Sequence, residues 1–161
     1  MRELQWLLDI PGLRSAIAGA IGGFCMAAYE MMATWAIGPG PLAPLALVGA
    51  SHPDARAHPA LVGFAMHLVT AAFWGTRLGG LAGAAPPATL RWPGGLAVGL
   101  LWGVGVWIVM GKIVAPLINP MIVKAPEPHF LVGHLVYGVV SVLVLETIMR
   151  RLPSGGPVAR P

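Results

Sequence analysis

The eighteen residues from Gly94 to Gly111 contain no charged side chain, and that run constrains the fold more than any other feature. A hydrocarbon core of about 30 Å is crossed by about twenty helical residues, each rising about 1.5 Å. Three further stretches are nearly as apolar, so the sequence predicts four spans, at about 13–37, 59–83, 93–115 and 130–150. Their ends are marked chemically. Gly38-Pro39-Gly40-Pro41 cannot continue the first helix, Pro59 and Pro93 open the second and third, Pro86-Pro87 follow the second, and Arg150-Arg151 close the fourth. Alternation with period two, the sign of a membrane barrel, is missing. The expectation is an all-α membrane protein, a four-transmembrane-helix bundle forming a single domain.

Composition agrees. With 57% hydrophobic and 10% charged residues and a mean hydropathy of +0.76, the chain has too few charges to cover a soluble core. The 22 glycines and 16 prolines would suggest disorder in a polar chain, but here they sit among Leu, Val, Ala and Trp. The net charge of +4 does not indicate nucleic acid, because the basic residues are scattered at helix ends with no run of three. Cys25 stands alone, which excludes an intramolecular disulfide and any CxxC motif. The apolar stretch after Arg14 is too long for a cleavable signal and has no small-x-small site, so the first helix is expected to be retained. Residues 1–9 read as a short amphipathic segment on the inner surface. Residues 153–161 read as a disordered tail.

Four spans put both termini and the middle loop on one side, with Arg2, Arg14, Arg77, Arg91, Arg150, Arg151 and Arg160; the other side holds Arg56, Lys112 and Lys124. The positive-inside tendency then places both termini in the cytoplasm. The two outer connections, 39–58 and 116–129, are apolar and proline-bearing, which predicts ordered caps pressed on the bundle. Ser51-His52-Pro53-Asp54 and His58 offer metal-binding residue types without a pattern such as HExxH, and no metal site is assigned. The halves share a short likeness, Met66-His67-Leu68-Val69 against Gly133-His134-Leu135-Val136, that would make two parallel hairpin repeats.

Helices associate in lipid through small residues that let backbones approach. Gly19, Gly23 and Ala27 line one face of span one, Gly79 and Gly83 mark span two, Gly95, Gly99 and Gly103 line span three, and Gly138 follows His134. Polar residues fall on these faces: Glu30 continues the first stripe, His67 has Gly63 and Ala71 one turn away, and His134 has Gly138 and Ser141. Counting residues from the helix ends puts Glu30, His67, Lys112 and His134 in the outer half, roughly 6 to 12 Å deep. An isolated charge there costs at least about 2.5 to 3.5 kcal/mol, so pairing within a polar cluster is expected. That cluster reads as a protonatable or small-ligand site opening outward, sensitive to pH through its histidines, or as interhelical polar glue.

The same residues allow other readings. His67 and His134 could ligate a b-type haem, and no other cofactor is indicated. Met26, Met31, Met32 and Met66 suggest copper less than packing. Trp74, Trp92, Trp102 and Trp107 read as interface anchors and packing residues. Glu146 lies one turn before Arg150, a structural i to i+4 pair. Motifs for nucleophilic triads, phosphate loops or metalloproteases are missing, so no enzyme is indicated. Partners reduce to the lipid bilayer, with a homo-oligomer or a larger membrane complex, as one structural subunit, as alternatives.

The segment Gly133-His134-Leu135-Val136-Tyr137 through Glu146-Thr147-Ile148-Met149-Arg150-Arg151 resembles the C-terminal helix of the YagU-like inner-membrane proteins. Their pattern there is Gly-His-Leu-Val, then an apolar helix with a Glu and two arginines. The proline-rich outer loop and the histidine in span two are also similar. This sequence departs from the family in its shorter first outer loop and in lacking a histidine in span three. The resemblance implies a four-helix fold and bacterial inner-membrane placement rather than a reaction, and marks His134, Glu146, Glu30 and His67 as positions of interest.

Overall fold

The computed structural model describes residues 10, 12–84, 87–119, 122 and 127–151; the expected amphipathic segment 1–9 and the tail 153–161 lie outside them. Helix α1 (Leu13–Ile37) is followed by a short cap helix α2 (Ala43–Gly49) and a 3-10 turn (Pro53–Ala57). Helix α3 (Pro59–Ala84) and a second 3-10 turn (Pro87–Leu90) lead to α4 (Gly94–Trp107), which runs on through a π-helical segment (Ile108–Val114) into α5 (Ala115–Ile118). Helix α6 (Glu127–Arg151) ends the described chain. Four of these runs are long and apolar enough to cross a membrane: Leu13–Ile37, Pro59–Ala84, Gly94–Ile118 and Pro128–Arg151. The molecule is a multi-pass, all-α membrane protein whose four long apolar helices pack as a bundle.

Each boundary has a local cause. Gly38 adopts φ 113° and its N–H bonds to the Thr34 carbonyl, a left-handed C-terminal cap that a side chain would strain. The third span was expected to stop near residue 115 but continues to Ile118. Pro116 falls in the first turn of α5, directly after the wide π turn, where its ring and missing N–H are tolerated.

Small residues decide the packing. Among the described residues the buried side of α1 consists of Ser15, Ala18, Gly19, Gly22, Gly23, Met26 and Ala27. A methyl group on Gly19 would strike the Ala71 carbonyl and lie 2.6 Å from Gly75 Cα in α3; on Gly22 it would lie 2.8 Å from the Tyr137 carbonyl in α6. On Gly99 it would lie 2.7 Å from Val139 Cα, and on Gly103 3.0 Å from Leu135 Cα. Gly83, by contrast, faces open space. The helices therefore stand in the order α3, α1, α6, α4, each backbone against the next. Outside this packing, large apolar side chains such as Leu101 (73% exposed) and Val69 (71%) form the surface that meets lipid.

Both expected hairpins, α1 with α3 and α4 with α6, are closed by glycines, but the contacts between hairpins are unequal. Helices α1 and α6 touch along their backbones, whereas α3 and α4 meet mainly through the rings of Trp74 and Trp102, 5.9 Å apart and nearly perpendicular. The first outer connection caps the bundle, whereas residues 120–121 and 123–126 of the second lie outside the described residues. Helix α2 lies on α3 where Gly49 meets the Pro59 carbonyl and Gly63 meets the Leu45 carbonyl. The Asn119 Nδ2 donates to the Leu47 carbonyl at 2.9 Å, joining the second connection to the first.

Candidate functional site

Because α3 and α4 do not close on each other, a gap runs between them, backed by the α1/α6 seam. The Trp74–Trp102 pair divides it. Toward the termini it is wholly apolar apart from Thr89, with Leu78, Leu90, Leu101 and Trp102 on its walls. Toward the caps it becomes a cavity of about 160 Å³ that carries His67, Thr70, His134, Tyr137 and Ser51 among Met, Val, Ile, Trp and Phe side chains.

The two imidazoles are held by backbone carbonyls. His67 Nε2 donates to the Gly23 carbonyl of α1 at 2.8 Å. The stripe explains the reach: at Gly23 even a methyl group would sit only 3.6 Å from that nitrogen. His134 Nδ1 donates to the Phe130 carbonyl one turn earlier at 2.8 Å, and the Phe130 ring stands edge-on at 4.6 Å. A carbonyl only accepts, so each bond fixes a proton on the donating nitrogen and leaves the neutral ring's second nitrogen as an acceptor. Among the described residues, the buried polar side-chain atoms without a partner are Glu30 Oε1, Trp102 Nε1, Trp107 Nε1 and Ser141 Oγ. Neither second imidazole nitrogen is sealed in that way, and both rings border the cavity.

Tyr137, which sequence reasoning passed over, is 2% exposed and donates its hydroxyl to the Ala71 carbonyl of α3 at 2.9 Å. Its position was available from spacing, three residues after His134 and four before Ser141 on one helical face. Phe130 and Met110 also line the cavity. Phe130 sits one turn before His134, but Met110 lies in the π segment, where α-helical spacing gives no guide.

The other expected members of the cluster lie elsewhere. Glu30 does point at a neighbouring helix: its carboxyl packs on Gly133 of α6, and a methyl group there would lie 3.2 Å from its Cδ. One residue along a helix turns a side chain by about 100°, so the side of α6 that receives Glu30 is not the side that presents His134 to the cavity. Lys112 is exposed, with its ammonium 4.9 Å from the centre of the Trp107 ring. The expectation that it joins Glu30 and the histidines is corrected by the π segment. Hydrogen bonding from i to i+5 brings residues five apart into line, which stacks Lys112 on Trp107 where an α-helix would turn it away. Glu146 and Arg150 pair at 3.5 Å, as their spacing predicts. Beyond the cavity, Tyr29 Oη lies 3.4 Å from His129 Nδ1, a contact between α1 and α6 at the cap end.

The residues do not fit a haem. The cavity is well below the roughly 300 to 1,000 Å³ of ordinary small-molecule sites, and His67 commits Nε2, its less hindered nitrogen, to Gly23. Among the described residues no three His, Cys, Asp or Glu side chains converge as metal ligands. The histidines of the first outer connection, His52 and His58, are exposed.

No family model, curated protein or solved structure matches the chain.

Proposed function

We propose that this chain is a non-enzymatic protein of a bacterial inner membrane, with both termini cytoplasmic, that binds a small molecule in the cavity between α3 and α4. The observation that carries the reading is the pair of imidazoles, His67 and His134, on the wall of one largely apolar cavity. Apolar sites with a few placed polar groups are the usual form of a small-molecule pocket, and histidines inside a membrane are retained where they have work to do. The basic residues at the terminal end, Arg14, Arg77, Arg91, Arg150 and Arg151, support the orientation. The Gly133–Tyr137 and Glu146–Arg151 segments support kinship with the YagU-like proteins.

The test uses a ring-sized apolar probe. Toluene should raise the midpoint of thermal unfolding of the wild-type protein in mild detergent, because a ligand that binds only the folded state stabilises it. Val114→Phe, which places a ring on the cavity wall, should abolish the rise while the protein remains folded. An equal response in both proteins would reject the cavity as a binding site.

A further inference from the structure

The polar side chains around the cavity have a shared property. Ser51 Oγ donates to the Val48 carbonyl at 2.6 Å, His67 Nε2 to Gly23, His134 Nδ1 to Phe130, and Tyr137 Oη to Ala71. Four donors are thus committed to backbone carbonyls, and what these groups still offer to the interior is lone pairs. Among the described residues, Thr70 and the Trp74 indole N–H are the remaining polar groups of the lining, and no charged side chain borders it. The two imidazole acceptors, set in an otherwise largely apolar wall, select a neutral ligand that brings its own donors, because a ligand with acceptors alone would leave both imidazole nitrogens unmatched.

Volume and wall chemistry narrow the ligand further. An apolar cavity of about 150 Å³ accepts benzene, and this one measures about 160 Å³. Its walls carry Trp74 and Phe130, whose rings stack edge-on against aromatic ligands, and Met26, Met66 and Met110, whose polarisable sulfurs favour ring contacts. Resting on the binding role given above, we propose that the occupant is a single aromatic ring bearing hydroxyl groups, a phenol or hydroquinone, with each hydroxyl donating to one imidazole. The chemistry is shared by free phenols and by quinol headgroups carried on a lipid tail. The unsealed gap between α3 and α4 gives either of them a route from the bilayer.

The experiment compares p-xylene, p-cresol and hydroquinone, which keep one shape and carry zero, one and two hydroxyls. Affinities are measured by thermal shift under reducing conditions and referred to the concentration dissolved in the detergent phase. Each hydroxyl should tighten binding roughly tenfold, the effect of one net hydrogen bond. His67→Leu and His134→Leu should each remove one step of the series. If a variant does not fold, the wild-type series alone decides. Equal affinity for all three rings would overturn the proposal and leave the cavity as an apolar site, whereas failure of every ring, p-xylene included, would overturn the binding role as well. Native mass spectrometry of protein extracted with its lipids separates the sources: a tail-bearing quinol assigns the membrane pool, a ring without a tail assigns a free phenol, and a retained molecule lacking an aromatic hydroxyl overturns the proposal.

Discussion

The α1/α6 seam and the α3/α4 gap cross the same membrane within one small bundle, and they are built in opposite ways. Along the seam Gly22 meets Tyr137 and Ser141, and Glu30 fills the notch left by Gly133. Across the gap, the facing residues are Trp74 and Trp102, with cavities above and below their rings. Small residues draw backbones together in lipid because only close contact competes with solvation by acyl chains. Large residues hold backbones apart, and the space between them becomes available to a ligand. One bundle can therefore be tight where it must hold and open where it can bind.

The comparison breaks first at the glycines. Gly19→Val would drive a branched side chain into the Ala71 carbonyl and the Gly75 backbone, a clash that no rotamer relieves. The expected loss, more than about 4 kcal/mol, belongs to the extreme of single substitutions, and denaturant titration in mixed micelles should show no folded baseline. A folded Gly19→Val would mean that the tight packing is not needed.

Gly19→Val tests the α1/α3 contact; Gly133→Ala probes the α1/α6 seam itself and more gently, since its methyl group would meet a side chain rather than backbone. Overpacking of this kind costs about 1 to 3 kcal/mol. Glu30→Ala removes the crowding atoms, so the double variant should recover much of the loss and yield a coupling energy of at least about 0.5 kcal/mol in a double-mutant cycle. Additive losses would show that Glu30 does not occupy the notch. The smallest effect is expected outside both regions, where Lys112→Met removes a cation from the Trp107 face and should change stability by at most about 1 kcal/mol. A larger loss, or a loss of ligand response, would return Lys112 to the site.

Much of the seam was legible in the sequence. Glycines at spacings of four named the contact faces, prolines and glycines marked the helix ends, and Glu30 followed the stripe into a neighbouring helix. Those faces were readable because α-helical geometry is regular, but the pairing expected for Glu30 is not met: its Oε1 is buried without a partner among the described residues. The gap was not legible, since empty space leaves no periodic signal and depends on how four helices stand together. Lys112 was misplaced for a related reason: counting at 100° per residue fails across the seven π-helical residues from Ile108 to Val114. The first cap was half legible. Its prolines announced order, but the crossing of α2 over α3 depends on Gly49 meeting Gly63, a pairing that sequence spacing does not reveal.

Asn119 and Leu47 are separated by 72 residues, yet one hydrogen bond ties them. The cap helix emerges early in synthesis, and its carbonyl waits for an amide that follows only after two further crossings have been made. Until then the front hairpin can be inserted but its lid is unfastened. The closure over the cavity can consequently form only once the third crossing is in place, and the chamber beneath it is complete only when α6 adds Phe130, His134 and Tyr137.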